Sequence, residues 1–598
     1  MASPDRSLRI TALLLPVLLL VPVTLAFAKN KSSYIIHEDA RHIRESLKPV
    51  IAAAQEKFRI PGISLILVRD NEILWSEGFG YADKASRAKA TPDTVFRAGS
   101  LAKPFTALAV MQLAEQKAID IDQPLFSYLP GFSIKSRFDS TAQPITLRNI
   151  LCHHSGLPTD FNKGMWSESD FREVATRLSD EYVAYPPNLV FSYSNIGYTL
   201  LGHMVETVSQ QVFSDYMQEN IFQPLGMQNS GIAPKLNQLP HCATGYSDGK
   251  AMPALPIRDI PAFGLYTNAN DLGHFMRRFL TQGQADAAFV LSTETLEEML
   301  EPQNQHIPLD MNIINGLGWF IEEDSVIEGG MLLRHGGATL LYSSEMILAP
   351  EHGLGVAILA NAKDSRKIIA ELAMEIIREA SSSCASEIPV KLDLADIKPV
   401  KINNPQTIGM PGEYVTDFGL ISIQAKDDRL CGCIAEETFD LIPYPNGWFG
   451  MPQQVSASLP PSYRPLAKLQ YKSLKIDGID VIVAQGNGRQ IVLGKKVAPI
   501  EMPESWKKRL GKYQLHNPDP LFPVIDTELL MHDEQLYMKY RMPLLTDRTM
   551  QIPLRPISDD QAIILGLGRT RGETLWVSRE NNGQEIVHYS GFFGSKTE

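Results

Sequence analysis

The chain carries two kinds of hydrophobic patterning, and the change between them falls just past residue 380. Residues 38–58 place apolar side chains at helical spacing, which predicts an amphipathic helix. Two apolar runs, 63–68 and 73–75, flank Asp70-Asn71 and predict a hairpin. Residues 101–116 and 197–208 again have the helical period. Runs at 344–349 and 354–359 flank a turn at 350–353, and a helix is expected over 367–379. With strands at both ends and helices between them, the expectation is one sheet closed by sequence-distant strands, with helices packed on it.

Beyond this region a Ser-rich, charged and Pro-containing stretch reads as a linker, placed at 386–408. Short alternating runs then dominate. Pro411-Gly-Glu-Tyr414 and Leu510-Gly-Lys-Tyr513 begin two similar segments. They predict two β-rich modules, 409–500 and 501–598, each a small antiparallel barrel. The first part of the mature chain is then a single α+β domain over 29–385.

Composition narrows the class. With 44% hydrophobic and 21% charged residues over 598 positions, the chain is globular. A net charge of −12 offers no electrostatic footprint for nucleic acid. Arg6 and Arg9, an apolar run over 10–27 and Ala26-Phe-Ala28 read as a cleavable leader over residues 1–28, so the protein is expected to be exported, periplasmic or secreted. The five cysteines, 152, 242, 384, 431 and 433, are too few for a disulfide framework, and their odd number leaves at least one free thiol. No Cys/His grouping has zinc-ligand spacing, so neither metal nor cofactor is expected.

Three short motifs could carry chemistry. Ser100 and Lys103 lie three apart where Gly99-Ser100 opens an apolar helix, and so share one face. A serine hydroxyl needs a neighbouring base, and a buried lysine can supply one. The same spacing occurs at Ser86/Lys89, Ser247/Lys250 and Ser505/Lys508, but no apolar helix follows there. Tyr193 and Asn195 precede another apolar helix; the bland reading is a buried tyrosine and a capping asparagine. Tyr266/Asn268 and Tyr444/Asn446 repeat that spacing. His335-Gly-Gly337-Ala338 leads into the last hairpin, and its glycines suit close approach of a ligand to a strand; His154-x-Gly156 has the same form. Cys152, His153 and His154 lack a separate carboxylate partner and read as structural, and Asp271 reads as a helix cap.

In this order, and with Leu151-Cys-His-His-Ser-Gly-Leu-Pro158, Ile221-Phe-Gln-Pro-Leu-Gly-Met227, Ala262-Phe-Gly-Leu-Tyr266 and Gly316-Leu-Gly-Trp319 beside them, the chain resembles the penicillin-recognising serine hydrolases of the class C β-lactamase-like branch. The resemblance spans about residues 35–380. It implies a β-lactamase/transpeptidase-like fold: an antiparallel sheet flanked by helices, with a helical lobe beside it. It further implies Ser100 as acylated nucleophile, Lys103 as proton acceptor and Tyr193 as partner base and later acid. Asn195, His335 and Gly337 would bind substrate, and the backbone N–H groups of Ser100 and Ala338 would form the oxyanion hole. Histidine at 335 is only weakly cationic near neutral pH. This departs from the lysine of many β-lactamases, is similar to what D-aminopeptidases and esterases carry, and ranks peptidase or esterase activity above strong β-lactamase activity; the reading is a peptidase of D-aminopeptidase or D,D-carboxypeptidase type acting on D-amino-acid-containing or cell-wall peptides. An esterase or β-lactamase using the same residues and a non-catalytic binding protein on the same fold are the alternatives, the substrates being a small peptide, an ester or a β-lactam. In related multi-domain enzymes the added barrels can line the active site.

Overall fold

The protein is described by a computed structural model over residues 37–597, apart from 139–142, 234–240, 283–288, 325–326, 328–329, 383–408, 427–428, 435–436, 445–446, 461–462, 487–488, 533 and 547–548. The leader and the linker read from the sequence lie outside the described residues.

Helix α1 (His37–Phe58) leads into β1 (Gly62–Arg69) and β2 (Glu72–Asp83). Helices α2 (Ala102–Glu115), α3 (Asn195–Ser209) and α4 (Ala269–Leu280) follow. Strands β3 (Met331–Ala338), β4 (Ser343–Ala349) and β5 (Leu354–Ala360) and helix α5 (Arg366–Ser382) complete this part. The eight-stranded antiparallel sheet has the central order β2–β1–β5–β4–β3. Strand β1 pairs with β5, Ile63 opposite Ala360 and Val68 opposite Gly355, so the chain closes its sheet with strands almost 300 residues apart, as the pattern predicted. Both faces of β1 are covered. Ile63, Leu65 and Leu67 join Ile43, Leu47 and Ile51 of α1 and Ile369, Leu372 and Ile376 of α5 in one core. Ile66 and Val68 face the other core, with α2, α3 and α4. Each such buried aliphatic chain contributes about 1.5–3 kcal/mol, which fixes the register by preventing a slip of one residue.

The two expected β-rich modules are present. Residues 412–497 form a nine-stranded antiparallel sheet, and 511–596 an eight-stranded closed barrel. The repeated Gly-x-Tyr is one local device used twice: the Tyr414 hydroxyl donates to Met410 O (2.9 Å) and the Tyr513 hydroxyl to Arg509 O (2.8 Å), each four residues back. Both modules dock on the first part. Trp448, Val481 and Val483 share a core with Ala184, Tyr185 and Leu309. Arg137 donates to Val183 O and Ala184 O and, across to the barrel, to Thr574 Oγ1 and Gly572 O. Among the described residues Cys152, Cys431 and Cys433 are free thiols. Among the described residues no helix is long and apolar enough to cross a membrane.

Candidate active site

Ser100 sits at the turn into α2, directly after Gly99, whose φ is +55°. That turn is pressed against β3. A Cβ on Gly99 would lie 2.7 Å from Ala338 N, and one on Gly337 would lie 1.9 Å from Ala98 O. Only glycine permits this approach, and Ser344 Oγ secures it by donating to Ala98 O (2.7 Å). The backbone of residues 98–100 therefore lies along Gly337 and Ala338.

Lys103, one helical turn on, is fully buried. Its Nζ contacts Ser100 Oγ (3.2 Å), Asn195 Oδ1 (2.7 Å) and Ala262 O (2.9 Å). Burial holds its pKa well below the ordinary lysine value, and the positive charges of Arg569 and Arg366 add to this, against Asp160 and Asp259. A neutral amine has two N–H bonds and one lone pair. Nζ donates to Ser100 Oγ, Asn195 Oδ1 and Ala262 O; once the amine is neutral, its two N–H groups can stay on the carbonyl-type oxygens of Asn195 and Ala262 while its lone pair turns to the Ser100 hydroxyl.

Asn195 is the first residue of α3 and does not cap it; the cap is Ser194, whose Oγ accepts from Gly197 N. The Asn195 amide spans two ionisable side chains, accepting from Lys103 and donating to Asp160 Oδ1 (2.7 Å). Tyr193 is buried and its phenol is hydrogen-bonded with the Ser100 hydroxyl; desolvation pushes its pKa up to about 12. Lys103 Nζ lies 4.6 Å from the centre of its ring. His335 is buried with Nδ1 2.9 Å from Gly336 O, and burial, then the charge of Lys103, pulls its pKa down to about 3. The weak cation expected at 335 is therefore a neutral imidazole, because burial and the cationic side chains around it disfavour the charged ring.

The structure thus gathers Ser100, Lys103, Tyr193, Asn195, His335, Gly337 and Ala338 around one point. It does not do so for their look-alikes. Ser86 bonds to Asp83, Ser505 bonds to Asp559, and Ser247 and Lys250 close a small hairpin. Asn268 caps α4 through Asp271 N, which corrects the cap from Asp271 to Asn268; Asp271 instead accepts from Ser230 and Asn229. Asn446 lies outside the described residues.

His153 and His154 support the site from behind. The His153 ring lies 4.3 Å from that of Tyr193, and its Nδ1 accepts from Ser194 N. His154 Nε2 meets Asp310 Oδ2 at 2.6 Å, both buried. Burial alone would lower the pKa of His154, but the bonds to Asp310 and Cys152 carry it up to about 10. A folded pKa above the unfolded value of about 6.5 stabilises fully below 6.5, and the gain is lost as pH rises through about 10. His154→Asn is expected to lower stability by about 3 kcal/mol at pH 6 and by clearly less near pH 10; denaturant midpoints at the two pH values measure it, and a pH-independent loss would reject the charged pair.

Two residues of the site were missed in the sequence. Asp160 gave no signal, being an isolated acid; its loop is held by the buried Arg258, which donates to Phe161 O and Lys163 O. Arg569 comes from the barrel, on the loop 565–573 between strands Gln561–Ile564 and Thr574–Arg579. Its guanidinium carbon lies 4.9 Å from the centre of the Tyr193 ring, and the side chain is exposed. The loop is tied down by Thr570 N to Thr159 Oγ1 (2.8 Å) and Ser192 Oγ to Gly568 O (3.3 Å). The signal that could have found it is Gly566-Leu-Gly-Arg-Thr-Arg-Gly572, three glycines around two arginines.

Comparison with known proteins bears on this arrangement. The family model described as Beta-lactamase matches residues 47–378, more than half of the chain. The chain belongs to the β-lactamase family. Within that family the chain is 25% identical over 360 residues to "Protein flp" of Staphylococcus aureus strain N315, covering 58% of this chain and 69% of that protein. It is 26% identical over 348 residues to "Penicillin-binding protein 4" of Amycolatopsis lactamdurans, covering 56% and 90%. The solved structure titled "Crystal structure of SurE" superposes with a TM-score of 0.53 at 20% identity, over 76% of this chain and 100% of that one, a likeness of fold. Family and fold together make the protein a serine hydrolase of the β-lactamase and penicillin-binding group.

Proposed function

We propose that the protein is an exported peptidase that works through an acyl-enzyme on Ser100 and takes peptides ending in a D-amino acid or fragments of cell wall. The observation that carries this reading is the buried Lys103 amine, 3.2 Å from Ser100 Oγ and held there by Asn195 Oδ1 and Ala262 O. Ser100 Oγ attacks the scissile carbonyl carbon while its proton passes to Lys103. The N–H groups of Ser100 and Ala338 receive the oxyanion. Tyr193, protonated at neutral pH, gives its proton to the leaving amine as the C–N bond breaks and regains one from the Lys103 ammonium. Water then repeats the sequence in reverse and frees the acid. Lys103 and Tyr193 share one proton across the cycle and titrate as a pair. The leader pattern at residues 1–28 supports export.

A carboxylate on the substrate is favoured by Arg569. A neutral His335 offers no charge to a carboxylate, but the Arg569 guanidinium is exposed beside Tyr193 and can take one in a two-pronged contact. Arg569→Gln is expected to lower kcat/KM about 10–100-fold for a D-alanyl-D-alanine peptide with a free carboxylate, the size of one charge-assisted contact, and to change it little for the same peptide as C-terminal amide. Equal losses on both would remove Arg569 from substrate recognition. The peptidase reading is tested by hydrolysis of that peptide pair against benzylpenicillin and a short ester. Turnover of the ester alone would move the reading to esterase.

A further inference from the structure

The closed barrel has one stopped end and one open end. Helix Glu504–Lys508 stops the first: Trp506 is fully buried in the barrel core and its indole N–H donates to Ser558 O (2.8 Å). The connections at the other end are 516–524, 542–548, 565–573 and 590–591, and all four touch the hydrolase part. Lys163 Nζ donates to Pro518 O, Gly164 N to Asp519, Lys363 Nζ to Leu544 O and Asn162 N to Ser590 Oγ. Loop 565–573 is the one that carries Arg569 to Tyr193. The open end of the barrel therefore sits over the active site.

Behind that end is a cavity of about 60 Å³ that opens to solvent at its mouth, lined chiefly by Leu529, Met538, Tyr540, Leu575, Val587 and Phe592. Asn162, from the hydrolase part, lines it too. Asn162 and Ser590 are bonded to each other, and Ser590 Oγ donates to Asp160 O, the residue that holds Asn195. Three large apolar side chains at the open end, Leu521, Ile525 and Leu545, are 46%, 37% and 44% exposed. An eight-stranded barrel is just wide enough to hold one small ligand, and an apolar cavity of this kind gains little from water.

We propose that the barrel interior is a binding site for the apolar tail of the substrate, an alkyl or aryl group attached to the unit whose carbonyl reaches Ser100. The proposal rests on the hydrolase reading above. It makes the barrel part of the substrate site: the hydrolase part holds the reacting bond, Arg569 the carboxylate end, and the barrel the hydrocarbon.

Two measurements on the full chain test it separately from the chemistry. The first titrates the neutral fluorophore N-phenyl-1-naphthylamine into Ser100→Ala. Saturable one-site binding is expected, displaced by N-octanoyl-D-alanine and not by N-acetyl-D-alanine, and lost in Leu575→Trp and Val587→Trp, whose folding is checked by circular dichroism. The second follows kcat/KM over p-nitrophenyl esters from acetate to octanoate. A rise of about fourfold per methylene over the first few carbons is expected from their transfer out of water, flattened in the same two tryptophan variants. No saturable binding, binding unchanged in both folded tryptophan variants, or a length profile that those variants do not alter would overturn the proposal. If the unaltered protein turns over no substrate, the hydrolase reading fails, while the fluorophore titration still decides the barrel site.

Discussion

Ser100→Ala is expected to abolish turnover of every substrate, with kcat reduced by at least ~10⁴-fold, because the Ser100 hydroxyl is the group that forms the acyl bond. The Tyr193 phenol and the Lys103 amine both converge on the Ser100 hydroxyl, so their chemistry has no other target. Fold stability should hardly change. Intact mass after incubation with benzylpenicillin reads the same prediction directly. The unaltered protein is expected to gain the mass of the acyl group, or to return hydrolysed penicillin if deacylation is fast, and Ser100→Ala is expected to do neither. An adduct that persists in Ser100→Ala would move the nucleophile elsewhere. Neither adduct nor hydrolysis in the unaltered protein would show a site that rejects β-lactams and leave peptides and esters as its substrates.

The second large effect is at Lys103. Lys103→Gln keeps a side chain that can donate to Asn195 and Ala262 but removes the lone pair, and kcat/KM is expected to fall about 10³-fold, the worth of a general base. The pH dependence supplies the sign. The active form has a neutral amine, so activity is lost as pH falls through the depressed pKa of Lys103 and is present well below the ordinary lysine range. His335, already neutral above about pH 3, adds no step near pH 6.5. An acidic limb that persists unchanged in Lys103→Gln would assign it to another group, and a limb near 10 would show that burial does not depress the amine. Lys103→Arg should be inactive and unstable as well, since a guanidinium cannot shed its charge in a dry site.

The fold was largely legible because its signals are local. The hairpins around Asp70 and Gly353 and the helices at 102–115 and 195–209 come from periodic apolar positions, and the buried β1–β5 pair follows from two near-continuous apolar runs that need a partner on each edge. The Gly-x-Tyr repeat marked both accessory modules because each tyrosine bonds four residues back. The closure of the second module into a barrel, expected from its short alternating runs, is made by the pairing of strands Gly511–Leu515 and Phe592–Lys596, a contact between the two ends of the module.

For the candidate site the division is similar. Ser100 and Lys103 share a helical turn, and Tyr193 and Asn195 share a helix start, so each pair is fixed by sequence spacing alone. Residue type also set which groups could act, since a lysine and a tyrosine have few other reasons to be buried beside a serine. What the sequence could not decide is the charge of those groups and the origin of the last one. The pKa values of Lys103 and His335 are both lowered chiefly by desolvation, a property of the packing around them and not of their neighbours in the chain. Arg569 lies 376 positions beyond Tyr193 and reaches it only because the barrel docks with its open end down. The sequence by itself determined the reacting groups and the sheet that carries them; tertiary structure decided their protonation and brought a cation and an apolar cavity over them, since both depend on surfaces that meet only after each part has folded.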